Sequence, residues 1–346
     1  MFVIREAYVD DLDQLHDVAR FLDTINLPND RGLLEEIIGL SARSFSGELP
    51  PLEREYLFVL EDLEQKKLIG TSMIHAQHGT RRSPHTFFEV FKEERYSESL
   101  DRYFVHDCLK IGYRYDGPTE IGGLILLPSY RGRPEALGKL LSYVRFLFIG
   151  MHRPWFRDEV LSELLPPLGA DGSSVLWESL GRQFTGLTYQ EADRLSKHNK
   201  EFIRTLFPHG LIYISLLPKP VQEVIGQVGA QTRGVEKMLA KIGFRYQHRI
   251  DPFDGGPHYG APTDQITLVR ETRRGRVAAD TRADSPDDST AELPWAIVAT
   301  ERDTGPRFAA TLARVPVGAE GDLVLGAGAR QALGVKAGDP ISWVSI

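Results

Sequence analysis

A chain of 346 residues with 42% hydrophobic and 26% charged side chains has the composition of a globular protein of about two domains. It is too long to be a minimal disulfide or zinc scaffold, and its single cysteine, Cys108, excludes an internal disulfide and a thiolate metal cluster. The 41 basic and 48 acidic residues give a net charge of −7, and no run of Lys or Arg provides the positive field that nucleic acid requires. We therefore expect no nucleic-acid partner and a reducing compartment, the cytoplasm.

The sequence also predicts neither a signal peptide nor a membrane anchor. Charges occur close to the start, at Arg5 and Glu6, which leaves no room for an apolar signal core. The longest uncharged stretches, such as 205–218, contain Pro and His and are shorter than the roughly 20 apolar residues that a bilayer requires. We expect no membrane partner.

The first part of the chain alternates strand and helix patterns. An apolar run is followed by two segments with apolar residues at helical spacing, and then by two β-rich runs around a polar turn, which predict a hairpin. The predicted elements, in chain order, are strand 2–5, helix 12–22, helix 34–45, strands 56–60 and 68–74, strand 86–91 and strand 120–127.

Strand 120–127 leads into a basic loop, Pro-Ser-Tyr-Arg-Gly-Arg-Pro, and then into a helix with one apolar face over 137–147. Unpaired N–H groups at a helix N-terminus attract anions, and Arg131, Arg133 and Lys139 add full positive charges, so this loop can hold a pyrophosphate. An ordinary strand-to-helix connection with solvent-facing arginines fits the same spacing.

The second part of the chain is predicted to be mixed as well, and it ends in a separate module. The predicted elements are a helix over 192–206 interrupted near 196–199, strand 211–217, helix 220–226, helix 235–242 and strands 244–250 and 265–269. Residues 271–294 contain no aromatic side chain and almost no large aliphatic one, which is typical of a solvated linker. We therefore expect a main domain over 1–275, a polar linker over 276–294 and a small β-rich module over 295–346.

Several motifs resemble known acyltransferases. Pro128, Tyr130-Arg131-Gly132 and Gly138-x-Leu140-Leu141 are similar to the acyl-CoA loop of the GCN5-related N-acyltransferase superfamily, although the spacing is longer here. From end to end, the chain resembles the arginine N-succinyltransferase family. The matching stretches are YLFVLED at 56–62, RFLF at 145–148, WESLG at 177–181, EAD at 191–193, VIGQV at 224–228, GFRY at 243–246 and DGGP at 254–257.

This resemblance implies an α/β (α+β) fold, with a GCN5-related N-acyltransferase-like mixed sheet flanked by helices and the small C-terminal β-rich module. It implies transfer of succinyl from succinyl-CoA to the α-amino group of arginine in arginine catabolism, by direct aminolysis and without a metal. The implied partner is an arginine-like small molecule, and a homodimer built through the C-terminal module is one assembly we consider. The resemblance implies that Leu124 contacts succinyl-CoA. With it, we expect these cofactor-binding residues in the strand and the basic loop: Ile125, Leu126, Arg131, Gly132, Arg133, Gly138 and Lys139.

One position departs from the family at the point where a proton is moved. The family carries a histidine with a proton-transfer role directly after the Gln-Val at 227–228, and this chain has Gly229, which cannot move a proton. His209 and His258 lie where loops are expected, and Glu120 lies at the edge of the central strand. These three are the candidates to replace the missing histidine, and a surface or structural role is the alternative for each.

A second departure follows the family-like Gly-Gly-Pro turn. The family continues with a threonine, a leucine and a polar or acidic residue, whereas this chain reads His258-Tyr259-Gly260. Loss of a polar or acidic group near the amine would alter guanidinium recognition. Two other functions therefore stay open at this point: a catalytically impaired or non-catalytic acyl-CoA-binding regulatory protein, and an acyltransferase for a different amine.

Overall fold

The computed structural model describes residues 1–20, 27–81, 83–196, 200–279, 293–303, 305–316 and 321–346. The strands are β1 (Phe2–Glu6), β2 (Glu55–Asp62), β3 (Lys67–His75), β4 (His85–Ser97), β5 (Arg102–Arg114), β6 (Thr119–Leu126), β7 (Glu159–Glu163), β8 (Ile212–Tyr213), β9 (Arg245–Ile250), β10 (Pro257–Pro262), β11 (Arg273–Arg276), β12 (Trp295–Glu301), β13 (Phe308–Arg314) and β14 (Pro340–Ser345). The helices are α1 (Leu12–Ala19), α2 (Arg31–Phe45), α3 (Leu137–Met151), α4 (Arg182–Thr185), α5 (Tyr189–Ser196), α6 (Glu201–Leu206), α7 (Lys219–Val224), α8 (Arg233–Lys241), α9 (Thr267–Arg270) and α10 (Ala327–Leu333).

The chain folds into two compact units. Unit 1 contains Met1–Ala76, Ile121–Asp158 and Pro262–Ile346, and unit 2 contains Gln77–Glu120 and Glu159–Ala261. The chain passes from unit 2 into unit 1 within β6, because Thr119 and Glu120 belong to unit 2 and the rest of the strand to unit 1.

The sheet of unit 1 has the strand order β11-β14-β12-β13-β1-β2-β3-β6. The N-terminal strand β1 lies inside this sheet, because it pairs antiparallel with β2 on one side and with β13 on the other. The described residues of the expected C-terminal module thus belong to unit 1 together with the start of the chain.

Helix α3 forms the centre of unit 1. A helix that is apolar on every face is buried, and nearly every residue of α3 is enclosed. The ring of Phe148 lies 4.7 Å from that of Tyr56, 5.4 Å from that of Phe58 and 5.2 Å from that of Phe308. Edge-to-face pairs of this kind add to the stabilisation from burial alone. The N-terminus of α3 is therefore carried on a rigid element.

The sheet of unit 2 has the order β7-β10-β9-β4-β5-β8, and Thr119 and Glu120 of β6 pair with β7 in parallel. Strands β4 and β5 form a long antiparallel hairpin that pairs all thirteen residues of each strand. The helices of this unit pack through Trp177, which is fully buried and stacks on Phe253 at 5.0 Å.

The expected α/β class, a mixed sheet flanked by helices, is confirmed. Two of the predicted strands are wrong. Only Ile212 and Tyr213 of the stretch 211–217 are extended, and a 3-10 turn follows them. Residues 267–270 form α9 instead of a strand, because their apolar side chains pack on α3.

Some of the expected features lie outside the described residues. These are most of the linker at 276–294 and part of the interruption at 196–199. Across the described ranges, no helix combines the length and apolarity that crossing a bilayer requires.

Candidate active site

Three histidines and two glutamates meet in unit 2. His78 lies in the connection before β4, His85 begins β4, His258 is in β10, Glu120 is in β6 and Glu163 ends β7. Nδ1 of His78 lies 2.7 Å from Oε2 of Glu120. Oε1 of Glu163 lies 3.3 Å from Nε2 of His85 and 3.3 Å from Nε2 of His258. We call these five residues the histidine–glutamate cluster.

The three rings of this cluster also contact one another. The rings of His85 and His258 stack with their centroids 5.3 Å apart. The ring of His78 meets that of His85 edge-on at 4.7 Å. The imidazoles therefore form one continuous group.

Two turn glycines set the position of His78. Gly79 has φ +87°, and a Cβ there would lie 2.6 Å from the backbone nitrogen of His85. A Cβ at Gly117 would lie 1.9 Å from the carbonyl oxygen of His78, whose N–H donates to the carbonyl of Pro118 at 2.7 Å. Because no other residue tolerates these approaches, backbone packing holds His78 beside His85.

The interior of the cluster has unused hydrogen-bonding capacity. The side chains of His85 and His258 are 1% and 0% exposed, whereas that of Glu163 is 26% exposed. The ring nitrogens of His85 and His258 have no hydrogen-bond partner among the described residues. A neutral imidazole offers one donor and one acceptor, and leaving them unpaired in the interior is destabilising. The exposed part of Glu163 gives solutes access to this group.

Burial keeps the rings neutral. Burial lowers the pKa of His85 to about 3, and Glu163 opposes that shift only in part. Burial also lowers the pKa of His258, again against the charge of Glu163. For Glu163, burial opposes ionisation, but His258 and His85 outweigh it and hold the pKa of this carboxyl well below its usual range. Glu163, His85 and His258 therefore titrate as one coupled group, in which a ring that accepts a proton is stabilised as the imidazolium by the carboxylate.

A turn with two aspartates borders the cluster. Oδ1 of Asp251 accepts the N–H of Phe253 at 2.6 Å and that of Asp254 at 3.3 Å, and Oδ1 of Asp254 accepts the N–H of Gly256 at 2.7 Å. One ligand atom each of Asp251, Glu163 and His258 lies within 4.8 Å of the others.

The two aspartates have strongly shifted acidities. Burial, followed by the charge of Glu163, raises the pKa of Asp251 to about 7. Burial, followed by the charge of Asp251, raises the pKa of Asp254 well above its usual range. In the described part of the chain, no Lys or Arg forms an ion pair with either aspartate. The charge of Lys200 opposes the shift of Asp251 only in part, and buried carboxyls with such shifted pKa values are common at functional sites.

Gly229, where the family resemblance predicts a histidine, lies against the residues that follow β7. Its N–H donates to the carbonyl of Leu165 at 2.8 Å, and a Cβ there would lie 2.6 Å from the carbonyl oxygen of Pro166. At the same end of β7, the N–H of Leu164 donates to the carbonyl of Pro257 at 3.1 Å. His258, the next residue, is therefore placed at the end of the strand where Gly229 packs.

The structure brings two of the three predicted catalytic candidates into one cluster. His258 contacts Glu163, and Glu120 contacts His78. His209 lies on an exposed bend after α6, and no contact joins it to the cluster in the described residues.

Several residues of the site were missed by the sequence reasoning. His78 and His85 are only 7 residues apart, but Glu163 and Asp251 lie far from them in the chain, and the four follow no motif spacing. For Asp251, the one available signal was its position three residues before the family-like Asp-Gly-Gly-Pro turn.

The predicted cofactor strand is irregular at Gly123. This residue has φ +55° within β6, and a Cβ would lie 2.8 Å from Cγ of Met73. Residues 122–124 are all half-buried, so the alternation of buried and exposed side chains is lost there. The carbonyl of Gly122 accepts from Nη1 of Arg145 at 3.3 Å. A local irregularity of this kind redirects the backbone groups of Leu124 and its neighbours.

The basic loop that follows β6 is exposed. Gly132 has φ +71° with open space around it, and Arg131 donates from Nε to the carbonyl of Leu126 at 2.9 Å. The guanidinium of Arg133 lies 4.3 Å from the ring centre of Tyr130, and the ammonium of Lys139 lies in the first turn of α3.

The start of α3 and the loop together suit a phosphate. A Cβ at Gly138 would come no closer than 3.8 Å to another residue, so the backbone there can be approached. The first N–H groups of a helix have no partner within the helix. Glu135 reduces the net charge of the loop, but three cations remain.

A cavity of about 330 Å³ in unit 1 borders the start of this loop. The residues that line it are Gln14, Asp17, Val18, Lys67, Leu68, Leu127, Pro128 and Ser129. A volume of this size falls at the lower end of the range for small-molecule sites.

Comparisons with known proteins agree on one family. The sequence model of the arginine N-succinyltransferase beta subunit matches residues 2–268. Arginine N-succinyltransferases of Escherichia coli O139:H28 (strain E24377A / ETEC) and Shigella flexneri are each 33% identical over 349 residues, covering 100% of this chain and 98% of the relative. The arginine/ornithine succinyltransferase subunit AI from Pseudomonas aeruginosa superposes with a TM-score of 0.83 at 27% identity, covering 100% of this chain and 98% of that one. The resemblance found in the sequence is confirmed, and the chain belongs to the arginine N-succinyltransferase family.

Proposed function

We propose that this chain is an acyl-CoA-dependent N-acyltransferase that transfers succinyl from succinyl-CoA to the α-amino group of arginine, in arginine catabolism in the cytoplasm. The amine nitrogen attacks the thioester carbonyl carbon, so a C–N bond forms and the C–S bond breaks. The amine loses a proton, and the leaving thiolate of CoA takes one up. The observation that carries the proposal is the buried ring of His258, whose Nε2 lies 3.3 Å from Oε1 of Glu163, in a chain for which the family resemblance predicts that Gly229 replaces a histidine.

His258 is the group that moves the proton. Its neutral ring can accept a proton from the attacking amine, and Glu163, 3.3 Å away, stabilises the imidazolium that forms. The same ring can then donate to the thiolate. His258 and Gly229 both lie at the end of β7, and this shared position supports the proposal that His258 takes the role of the histidine expected at position 229.

Glu120 acts through His78 in this proposal. Its carboxylate is buried and lies 2.7 Å from Nδ1 of His78, so it orients that ring instead of meeting the substrate itself. His209 stays a prediction from the sequence, and its exposed position favours His258 over it.

The carboxylates of unit 2 select a cationic acceptor. Asp251 and Asp254 are held by backbone N–H groups near Glu163, and a bound cation would lower their raised pKa values and so favour their ionised forms. A guanidinium forms bidentate, charge-assisted hydrogen bonds with such groups. Arginine is thus the acceptor that the site supports best. Because the Pseudomonas aeruginosa relative is named an arginine/ornithine succinyltransferase, ornithine is the second acceptor to test.

Succinyl-CoA binds in this proposal along the irregular part of β6 and at the N-terminus of α3. Backbone groups of Leu124, Ile125 and Leu126 pair with the pantetheine arm and polarise the thioester carbonyl. The loop holds the pyrophosphate through the backbone of Gly132 and Gly138 and through the side chains of Arg131, Arg133 and Lys139.

Two alternatives remain, and neither is favoured by the comparisons. A non-catalytic acyl-CoA-binding regulatory protein would not require a neutral base beside an ionised carboxylate. An acyltransferase for a different amine would use the same residues with another acceptor. The small-molecule amine is the partner that we propose, and a homodimer stays a prediction.

The test is the release of free thiol from succinyl-CoA, acetyl-CoA and longer acyl-CoAs, each offered with arginine, ornithine and lysine. We expect the highest kcat/KM for succinyl-CoA with arginine. Binding of acyl-CoA without thiol release from any pair would support the regulatory alternative and contradict the proposal. A clear preference for another amine would support the second alternative.

A further inference from the structure

The histidine–glutamate cluster contains more ligand atoms than the proposed proton transfer uses. One nitrogen each of His78 and His85 and one carboxylate oxygen of Glu163 lie within 4.8 Å of one another. Both ring nitrogens of His85 and Nε2 of His78 are buried and have no hydrogen-bond partner among the described residues. From this arrangement, we infer that His78, His85 and Glu163 bind one divalent transition-metal ion of the zinc class.

The one ligand–ligand distance known within this group, between His85 and Glu163, is compatible with two ligands of a single metal ion. Zinc binds nitrogen and oxygen ligands at about 2.0–2.2 Å, so two ligands of a tetrahedral ion are separated by roughly 3.4 Å. Nε2 of His85 and Oε1 of Glu163 are 3.3 Å apart and lack hydrogen-bond geometry. A charge-assisted N–H···O bond is shorter, about 2.8 Å. The two atoms therefore stand as neighbouring ligands of one ion would.

A second carboxylate prepares His78 for this role. Oε2 of Glu120 lies 2.7 Å from Nδ1 of His78, and a proton on Nδ1 leaves the lone pair on Nε2. Metal-binding histidines usually donate their other ring N–H to a carboxylate or a carbonyl group, which fixes the tautomer and raises the basicity of the ligand.

The donor set indicates the class of metal. Two imidazoles and one carboxylate bind Zn²⁺ and its neighbours in the transition series, whereas Ca²⁺ and Mg²⁺ prefer oxygen ligands alone. The side chains of Glu163 and His78 are 26% and 21% exposed, so solvent reaches two of the three proposed ligands. The inference concerns metal binding alone and holds whether or not the proposed reaction does.

The test uses the untagged full-length protein, treated with chelator and dialysed against Zn²⁺, and counts the metal bound per chain by mass spectrometry. We expect one ion per chain, and no comparable binding of Mg²⁺ or Ca²⁺. The variants H78Q and H85Q should each lose at least about tenfold in affinity, and E120Q about 10- to 100-fold. H209Q, a matched change on an exposed bend, should bind Zn²⁺ as the wild type does.

A second measurement keeps the test independent of the stability of the variants. Co²⁺ in a low-symmetry nitrogen and oxygen site absorbs visible light strongly, so Co²⁺ added to the wild-type protein should give a visible band that one equivalent of Zn²⁺ removes. The inference is overturned if the folded wild-type protein binds no stoichiometric Zn²⁺. Unchanged affinity in both H78Q and H85Q would overturn it as well.

Discussion

Replacing Asp251 by Asn should stabilise the protein and impair the reaction. Burial and the charge of Glu163 raise the pKa of Asp251 from its ordinary value of 3.8 to about 7. A shift of about three pH units corresponds to about 4 kcal/mol. Because solvent reaches part of the Asp251 side chain, we expect only about half of this energy, ~2 kcal/mol, to appear in the free energy of unfolding. Asn keeps an oxygen for the N–H groups of Phe253 and Asp254.

The sign of this effect depends on pH. A carboxyl whose pKa is raised by folding favours the folded state fully below its unfolded pKa, and it loses that contribution as the pH rises through its folded pKa. The wild-type protein should therefore lose ~2 kcal/mol from this group between pH 4 and pH 8, and D251N should not. The stability difference is near zero at pH 4 and favours D251N at pH 8.

Urea unfolding of both proteins at several pH values measures this difference, with D10N as a control at an exposed carboxylate. Effects of the buried histidines cancel, since both proteins contain them. In the thiol-release assay above pH 7, where the wild-type carboxyl is ionised, D251N should raise the KM for arginine, because the proposed acceptor site then loses a negative charge. A stability difference between D251N and the wild-type protein that does not change with pH would contradict this prediction. So would a D251N protein that is less stable than the wild type at pH 8.

Three further predictions concern Gly229, the cofactor loop and the C-terminal strands. G229A places a Cβ 2.6 Å from a backbone carbonyl oxygen, so its free energy of unfolding in urea should fall by about 1–3 kcal/mol. The control G210A places its Cβ in open space and should keep the wild-type stability. Equal losses in the two variants would contradict this prediction. For the same reason, G229H should not raise turnover, and a faster G229H enzyme would contradict our account of the site. Changing Arg131 and Arg133 together to Glu should raise the KM for succinyl-CoA at least about tenfold while kcat changes little, because these side chains hold the pyrophosphate in our proposal. An unchanged KM would show that the pyrophosphate binds elsewhere. Removing residues 277–346 takes β13 from β1 and should lower the melting temperature, and an unchanged melting temperature would show that the main domain folds alone.

The sequence predicted best what depends on local pattern. Strand β6, the basic loop and α3 follow one another along the chain, and each has its own periodicity or turn chemistry, so the predicted order matches the structure. Strand β5 was missed, because its outer half is exposed on both faces and carries charged and aromatic side chains without alternation. Helix α9 was mistaken for a strand, because Ile266, Leu268 and Val269 favour extended structure locally while packing on α3 decides their conformation.

The candidate site was only partly predictable, for a physical reason. His258 and Glu120 were found because a family motif and a strand edge drew attention to them. His85 and Glu163 are 78 residues apart in the chain, and the pairing of strands within unit 2 brings them together. No periodicity in the sequence reports such a contact, and burial, which shifts the acidities of this group, is a property of the folded chain alone.

The central claim is that His258, beside Glu163, performs the proton transfer that Gly229 cannot. The measurement is kcat for arginine and succinyl-CoA in H258Q, with the same substitution at the rival position, H209Q. We expect H258Q to lose about 10²- to 10⁴-fold in kcat with an unchanged KM for succinyl-CoA, and H209Q to keep the wild-type rate. A wild-type rate in H258Q, or the large loss in H209Q instead, would contradict it.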